Sequence, residues 1–351
     1  NQRSAAFRAQ FFNKWDVREI LDFVSIRGLF SKGHADTKVI VVVAERSAPP
    51  EDRQILHATF RRSARADSEQ GFDIDYYDLH WIPRRLALEN DSVWRSNLLG
   101  GGRVLAFVNR LKKFRTLGSY AKENGWDAGE GFIEGRKGAR PAPHLPGSPL
   151  LPSDGITSSG IDRTKIATVR SKSFRSGYST SRFSAPMVLI HEHLDLNHDL
   201  WTDGYLTYKN QIIGIPAPQE QLPLLRKMAD WLTQEKDALR AFVAATTVKA
   251  FTQHATTLSG IDILSLPYPN GSLCLSENER IVADDVVRYM RDLIRVGEDA
   301  EAMRPLTDGT LALFSDVFLR QMRASYGAIR PLNPQIWPGI VCQPFAFGEG
   351  H

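Results

Sequence analysis

The chain is expected to be an α/β unit followed by a mixed α+β region with long helices. Three observations carry that expectation. Lys38–Glu45 (KVIVVVAE) is a continuous β-branched run, as in a strand buried on both faces. Short apolar strands recur at Met187–Ile190 and Gln211–Ile215. Helical periodicity then dominates, from Leu222 to about Ala255 and again from Ser276 onward.

In order along the chain, Ser4 is placed to cap a short helix with Phe7, Phe11 and Phe12 on one side and Trp15 near its end. Val17–Val24 reads as the first strand and Lys38–Glu45 as the second, with Gly33 and His34 in the link between them. Asp73–Leu79 alternates polar and apolar residues and reads as a third, beyond a linker at Ser47–Pro50 and a basic stretch at Arg61–Arg65. Asn90 to Phe114 is helical, interrupted by Gly100–Gly102. Asn124–Gly160, rich in Gly and Pro, is expected to be a long irregular region. Ile261–Leu264 and Leu266–Pro269 read as an extended exit from the helices. Ser276 with Glu279 forms a capping box opening a helix that buries Val282, Val286, Met290 and Leu293 and stops at Gly297. A last helix is expected from Thr310 to Tyr326, ended by Gly327, and Asn333–Ile336 reads as a C-terminal loop. No internal repeat is present.

The composition, 42% hydrophobic and 24% charged over 351 residues, is that of a folded globular chain, and no run of 18 apolar residues exists. The first residues have no continuous apolar core of a signal peptide. The two cysteines, Cys274 and Cys342, rule out a disulfide scaffold and suit a reducing cytoplasm. The formal charge of +4 is unevenly spread: residues 103–182 carry 15 Lys/Arg against 6 Asp/Glu, a net of +9, whereas residues 183–351 carry a net of −6. Such asymmetry points to an anionic partner.

Of the candidate chemistries, Gly100–Gly102 and Gly129–Gly135 are the glycine-rich stretches. Neither follows a strand and opens a helix in the spacing a nucleotide fold needs, so tight turns are their expected roles. The strongest metal candidate is His191-Glu-His193-Leu-Asp195-Leu-Asn-His198-Asp199, in which His191 and His193 share a face if the strand continues. Its ordinary alternative is a strand leaving the core into a polar loop. No serine sits in a nucleophile elbow, no cysteine has a nucleophile's motif, and no carboxylate pair stands out, so no catalytic residue is assigned.

The basic segment is more informative. Arg103, Arg110, Lys112, Lys113 and Arg115 lie along a helix and just after it. Arg163, Lys165, Arg170, Lys172, Arg175 and Arg182 follow in a stretch rich in Ser and Thr that also holds Phe174 and Tyr178. Cationic side chains neutralise phosphates and hydroxyls add hydrogen bonds to the backbone, so nucleic acid is the expected partner. The DNA-binding candidates are Arg110, Lys112, Lys113, Arg115, Arg163, Lys165, Arg170, Lys172, Arg175, Tyr178 and Arg182. The plain alternative is a solvated basic surface.

These residues also carry a resemblance. Arg18-Glu-Ile-Leu-Asp22, Leu29-Phe30 and Val39–Val43 resemble the part of bacterial N6-adenine DNA methyltransferases just beyond their catalytic Asn-Pro-Pro-Phe/Tyr motif. Phe114–Tyr120, Gly125-Trp126 and Gly129–Phe132 resemble the entry to a target-recognition domain of that family. Phe183–Ile190 and Ile212–Ile215 resemble its paired strands, and Leu258–Pro269 its exit. The resemblance is diffuse but covers most of the chain. It implies the trailing strands of a Rossmann-like methyltransferase sheet in residues 1–85, a linking helix in 86–116, a DNA-binding target-recognition domain in 117–272 and a C-terminal helical region in 273–351. It further implies an enzyme of a restriction-modification or phage-defence system that reads duplex DNA, flips an adenine out and methylates its N6.

Two family motifs are missing from the chain. The glycine-rich motif for S-adenosylmethionine is absent, and the nearest string to the catalytic motif, Asn333-Pro334-Gln335-Ile336, lacks the second proline and the aromatic. The chain is therefore expected to be a C-terminal portion, not catalytic alone and holding no cofactor. S-adenosylmethionine would belong to the full-length enzyme. The expected partners are double-stranded DNA, the N-terminal catalytic half and a restriction or defence subunit, with no membrane. Two alternatives remain: a protein-interaction subunit, and a metal-dependent hydrolase using His191, His193 and His198.

Overall fold

In the computed structural model, the strand Asp16–Asp22 forms the centre of the first unit. It pairs antiparallel with Ile40–Glu45 and parallel with Gln54–Thr59, which pairs antiparallel with Leu79–Pro83. The structure describes residues 2–23, 39–62, 72–73, 78–247, 256–296, 319, 328–337, 340–342 and 344–347. Phe12 of the helix Gln2–Lys14 packs with Val17, Ile20, Ile55, Ile82 and Val93 to form the core of this unit. The helix starts at Gln2, so Ser4 lies inside it instead of capping it.

One expectation is corrected here. Ile40–Glu45 is not buried on both faces: it is an edge strand with one neighbour among the described residues, and Ile40, Val41 and Val43 are exposed. Its β-branched residues favour extended backbone whether or not a second layer covers them. Gln54–Thr59, which lies between the linker at Ser47–Pro50 and the basic stretch at Arg61–Arg65 and carries no element in the sequence reading, is an internal strand with His57 and Thr59 buried. The strand expected at Asp73–Leu79 is described at its two ends, in Phe72–Asp73 and Leu79–Pro83. Gly33, His34 and residues 63–65 lie outside the described residues.

The glycine break divides the next helical stretch as expected. Ser92–Leu99 ends at Gly100 (φ 137°), Gly101 (φ 76°) turns the chain, and Gly102–Leu111 follows. Thr116 then caps Leu117–Glu123 by accepting from the Ser119 amide at 3.1 Å.

The middle of the molecule is organised by an antiparallel sheet of four strands in the order His198–Trp201, Met187–His191, Ile212–Pro216, Gly129–Glu130. Side chains alternate across it. Val188, Ile190, Ile213 and Ile215 enter one core, shared with the helices Leu222–Gln234, Lys236–Thr246 and Glu277–Val296. Met187, Leu189 and Ile212 enter a second, built with Phe132, Phe174, Phe183 and Tyr208. This second core corrects the expectation for Asn124–Gly160. That stretch holds short strands at Gly129–Glu130, Ile133–Glu134, Pro149–Leu151 and Ile156–Thr157, and Phe132, Leu145 and Leu151 are fully buried. Its glycines and prolines shape a tightly folded lobe.

Ile261–Leu264 is also not extended. It belongs to a helix, Gly260–Leu264, opened by a capping box of Ser259 and Asp262. The following segment is extended and ties back to the first half: the Leu117 amide donates to Leu266 O at 2.8 Å and the Tyr268 amide to Arg115 O at 2.7 Å. The Ser276–Glu279 capping box forms as expected, and Val282, Val286 and Met290 are buried. Gly297 and, apart from Leu319, the helix expected at 310–326 lie outside the described residues. Near the C-terminus, Gln335–Trp337 pairs with Ile340–Cys342, and Ile329–Pro331 with Phe345–Phe347, so Asn333–Ile336 leads into a β-ribbon instead of forming a loop. No helix among the described residues is long and apolar enough to cross a membrane.

Candidate nucleic-acid interface

The short ribbon of Ile133–Glu134 and Phe174–Ser176 is where the exposed cations gather. The Gly135 amide donates to Ser173 O at 3.1 Å and the Arg140 amide to Phe174 O at 2.8 Å, so residues 136–139 turn directly beside 173–175. Gly135 lies against the Arg175 side chain. The turn exposes Arg136, Lys137 and Arg140, and the adjoining segment exposes Arg170, Lys172 and Arg175. None of these six makes an ion pair among the described residues. The nearest acid in sequence, Glu134, is occupied by Lys209 at 3.2 Å. Six unneutralised charges on two adjacent segments form a surface suited to a polyanion.

The other expected DNA contacts fare differently. Arg110 is held by Glu279 and donates to Leu273 O at 3.1 Å, joining two helices. Lys112 donates to Ser92 Oγ at 2.7 Å and sits 3.7 Å from Asp91. Arg115 pairs with Glu123 at 2.9 Å and lies 4.6 Å from the Tyr120 ring. Lys165 pairs with Asp154 at 2.9 Å, and Arg163 with Asp203 at 2.5 Å. Lys113 is exposed and without an ion pair among the described residues; it follows the helix Gly102–Leu111 and precedes the ribbon in the chain.

Arg182 is an internal residue. It is 8% exposed, is gripped by Asp127, and donates to Glu130 O at 3.0 Å. Burial works to raise the Asp127 carboxyl, but the Arg182 guanidinium and the Ser179 hydroxyl hold it below the ordinary carboxylate range. The Arg182 carbonyl accepts the hydroxyl of fully buried Tyr208, whose ionisation burial pushes well above the usual phenol value.

Arg136, Lys137 and Arg140 fall in the basic segment, but no sequence feature singles them out. The missing signal was the ribbon that lays them beside Arg175. A second unforeseen feature is His57, fully buried, with Nε2 at 3.3 Å from Asp22 and Nδ1 at 3.1 Å from the Asn97 amide. It lies on the wall of an apolar cleft of about 950 Å³ between the first helix, the sheet and Ser92–Leu99. Its partners are far away in sequence, so no local motif announces it.

The three histidines do not converge. The rings of His191 and His193 stack at 5.4 Å in a polar cleft with Lys236 and Arg240. His198 turns away onto Leu196 O at 2.8 Å and Thr233 Oγ1 at 3.0 Å. Among the described residues, no three His, Cys, Asp or Glu side chains are grouped to hold a metal ion. This corrects the hydrolase alternative, whose ligand set required all three imidazoles.

The glycine-rich stretches are likewise accounted for. Gly100–Gly102 turns one helix into the next, and Gly131 allows close backbone approach: a Cβ there would fall 2.0 Å from Tyr208 O. Neither fits the phosphate-cradling role. A scan against protein-family models finds no match, and neither does a search of curated proteins.

Proposed function

We propose that the chain recognises double-stranded DNA as the reading portion of an N6-adenine DNA methyltransferase of the restriction-modification or defence type. The observation that carries the DNA-binding part is the patch of six exposed cations, without ion pairs among the described residues, around the ribbon Ile133–Glu134/Phe174–Ser176. The methyltransferase part rests on the resemblance of residues 18–43 and 114–269 described above. A parallel strand pair flanked by antiparallel neighbours in the first unit suits that reading.

In this account, the patch docks along phosphates and fixes register, while the surrounding lobe presents side chains to the bases. In this reading, methyl transfer and its donor, S-adenosylmethionine, belong to a catalytic half that carries the family's glycine-rich and Asn-Pro-Pro-aromatic motifs. The exposed Val41, Val43 and Trp81, which share one face of the first sheet, offer that half an apolar surface.

The test is fluorescence anisotropy of the chain with labelled duplex DNA across a salt series. Arg170→Ala, Lys172→Ala and Arg175→Ala together should weaken binding and flatten its salt dependence. Unchanged affinity and slope would remove the patch from the interface.

A further inference from the structure

The geometry points to Tyr178 as a stacking platform for a nucleobase that has left the duplex stack, an inference resting on the DNA-binding reading above. Tyr178 has φ 52°, in the left-handed region that bulky L side chains rarely adopt. Neither burial nor a core contact explains this conformation, because the residue is 41% exposed. Such strain persists only where the surroundings over-determine it, and it concentrates at functional positions.

The surroundings here do over-determine it. Before Tyr178, Gly177 O accepts from His144 Nε2 at 3.1 Å, and Gly177 packs so closely that a Cβ would lie 2.5 Å from Ala142 Cβ. After it, Ser179 Oγ donates to Asp127 at 3.0 Å. The guanidinium carbon of Arg182 lies 4.4 Å from the Tyr178 ring centre, and the same Asp127 grips that guanidinium. One carboxylate thus holds both the side chain of the residue after the ring and the cation against its face.

The ring is therefore rigid, partly exposed and on the same segment as Arg170, Lys172 and Arg175. An aromatic face beside phosphate-seeking cations is the combination that binds an unstacked base with its backbone. A base inside a paired duplex offers no free face, so the ligand class is DNA with an extrahelical or unpaired base.

The experiment compares a fully paired duplex with the same duplex carrying one extrahelical adenine, at fixed salt. The wild-type chain should prefer the bulged duplex by at least about fivefold, the low end of what one base–aromatic stack supplies. Tyr178→Phe should keep that preference. Tyr178→Asn, which tolerates the left-handed backbone, and Tyr178→Leu, which keeps apolar cover over Arg182, should both lose it while the paired-duplex salt slope stays unchanged. A wild-type chain without preference, or an Asn or Leu variant that retains it, overturns the assignment while DNA binding itself stands. Failure of the wild-type chain to bind either duplex at low salt overturns the DNA-binding reading and this inference with it.

Discussion

Arg53 donates both Nε and Nη2 to the two carboxylate oxygens of Asp16, at 2.6 and 2.7 Å. Asp16 opens the central strand of the first sheet and Arg53 directly precedes its parallel neighbour, so the pair fastens together two strands that no hairpin connects. The hydrogen bonds from Arg53 hold the Asp16 carboxyl below the ordinary carboxylate range, against an opposing effect of burial. A depressed carboxyl contributes stability above its unfolded value, about 3.9, and loses it as pH falls through the folded value. Asp16→Asn should therefore cost about 2 kcal/mol near neutrality, the scale of hydrogen bonds to a charged group. Thermal melts of both proteins should converge as the pH drops below 4. A gap that stays constant with pH would deny the ion pair its role.

Gly131 and Gly102 should respond oppositely to alanine. A Cβ on Gly131 would meet Tyr208 O at 2.0 Å, whereas Gly102 has nothing within 4 Å and opens a helix. Gly131→Ala should destabilise by about 3 kcal/mol through overpacking. Gly102→Ala should be neutral or stabilise by up to about 1 kcal/mol. Denaturant midpoints check both, and equal effects would contradict the packing role assigned to Gly131.

Glu279 serves two structures at once, accepting from the Ser276 amide at 2.8 Å and pairing with Arg110 across helices. Glu279→Ala should cost about 1–2 kcal/mol, more than loss of an exposed ion pair alone. Arg110→Ala should lower stability without changing the salt slope of DNA binding. A flattened slope in the Arg110 variant would return that residue to the interface.

His198 should contribute an acid sensitivity. Burial lowers its tendency to protonate, outweighing the carbonyls of Leu196 and Ala229 that favour the cation. A histidine depressed in the folded state binds its proton more readily when unfolded. Stability therefore falls as pH drops below the unfolded value of about 6.5, until the folded value is reached. His198→Gln should flatten the pH dependence of the melting temperature between 6.5 and 5; an unchanged profile would assign the sensitivity elsewhere.

Strands and helices whose periodicity matches their burial were legible in the sequence. Met187–His191 and Ile212–Pro216 are strands feeding two cores, and the Ser276–Glu279 box opens its helix. Burial misled where tertiary position decided it: the β-branched run Ile40–Glu45 became an exposed edge, while polar His57 and Thr59 went inside. The Gly- and Pro-rich stretch hid a core, because Phe132, Leu145 and Leu151 are spaced by turns that mask any period. At the interface, charge density located the segment, but ion pairs distinguish its members. Arg163 and Lys165 read like Arg170 and Lys172 in the sequence, yet distant Asp203 and nearby Asp154 neutralise the first two.

That distinction supplies the most direct test of the central claim, that the unpaired cations carry DNA binding. The slope of log K against log salt is measured for the wild-type chain, for Arg136→Ala/Lys137→Ala/Arg140→Ala, and for Arg163→Ala/Lys165→Ala. The account predicts that the first variant flattens the slope by about 2–3, close to 0.9 per lost phosphate contact, and that the second leaves it unchanged. Equal slopes in all three proteins, or a loss confined to the Arg163/Lys165 variant, would contradict it.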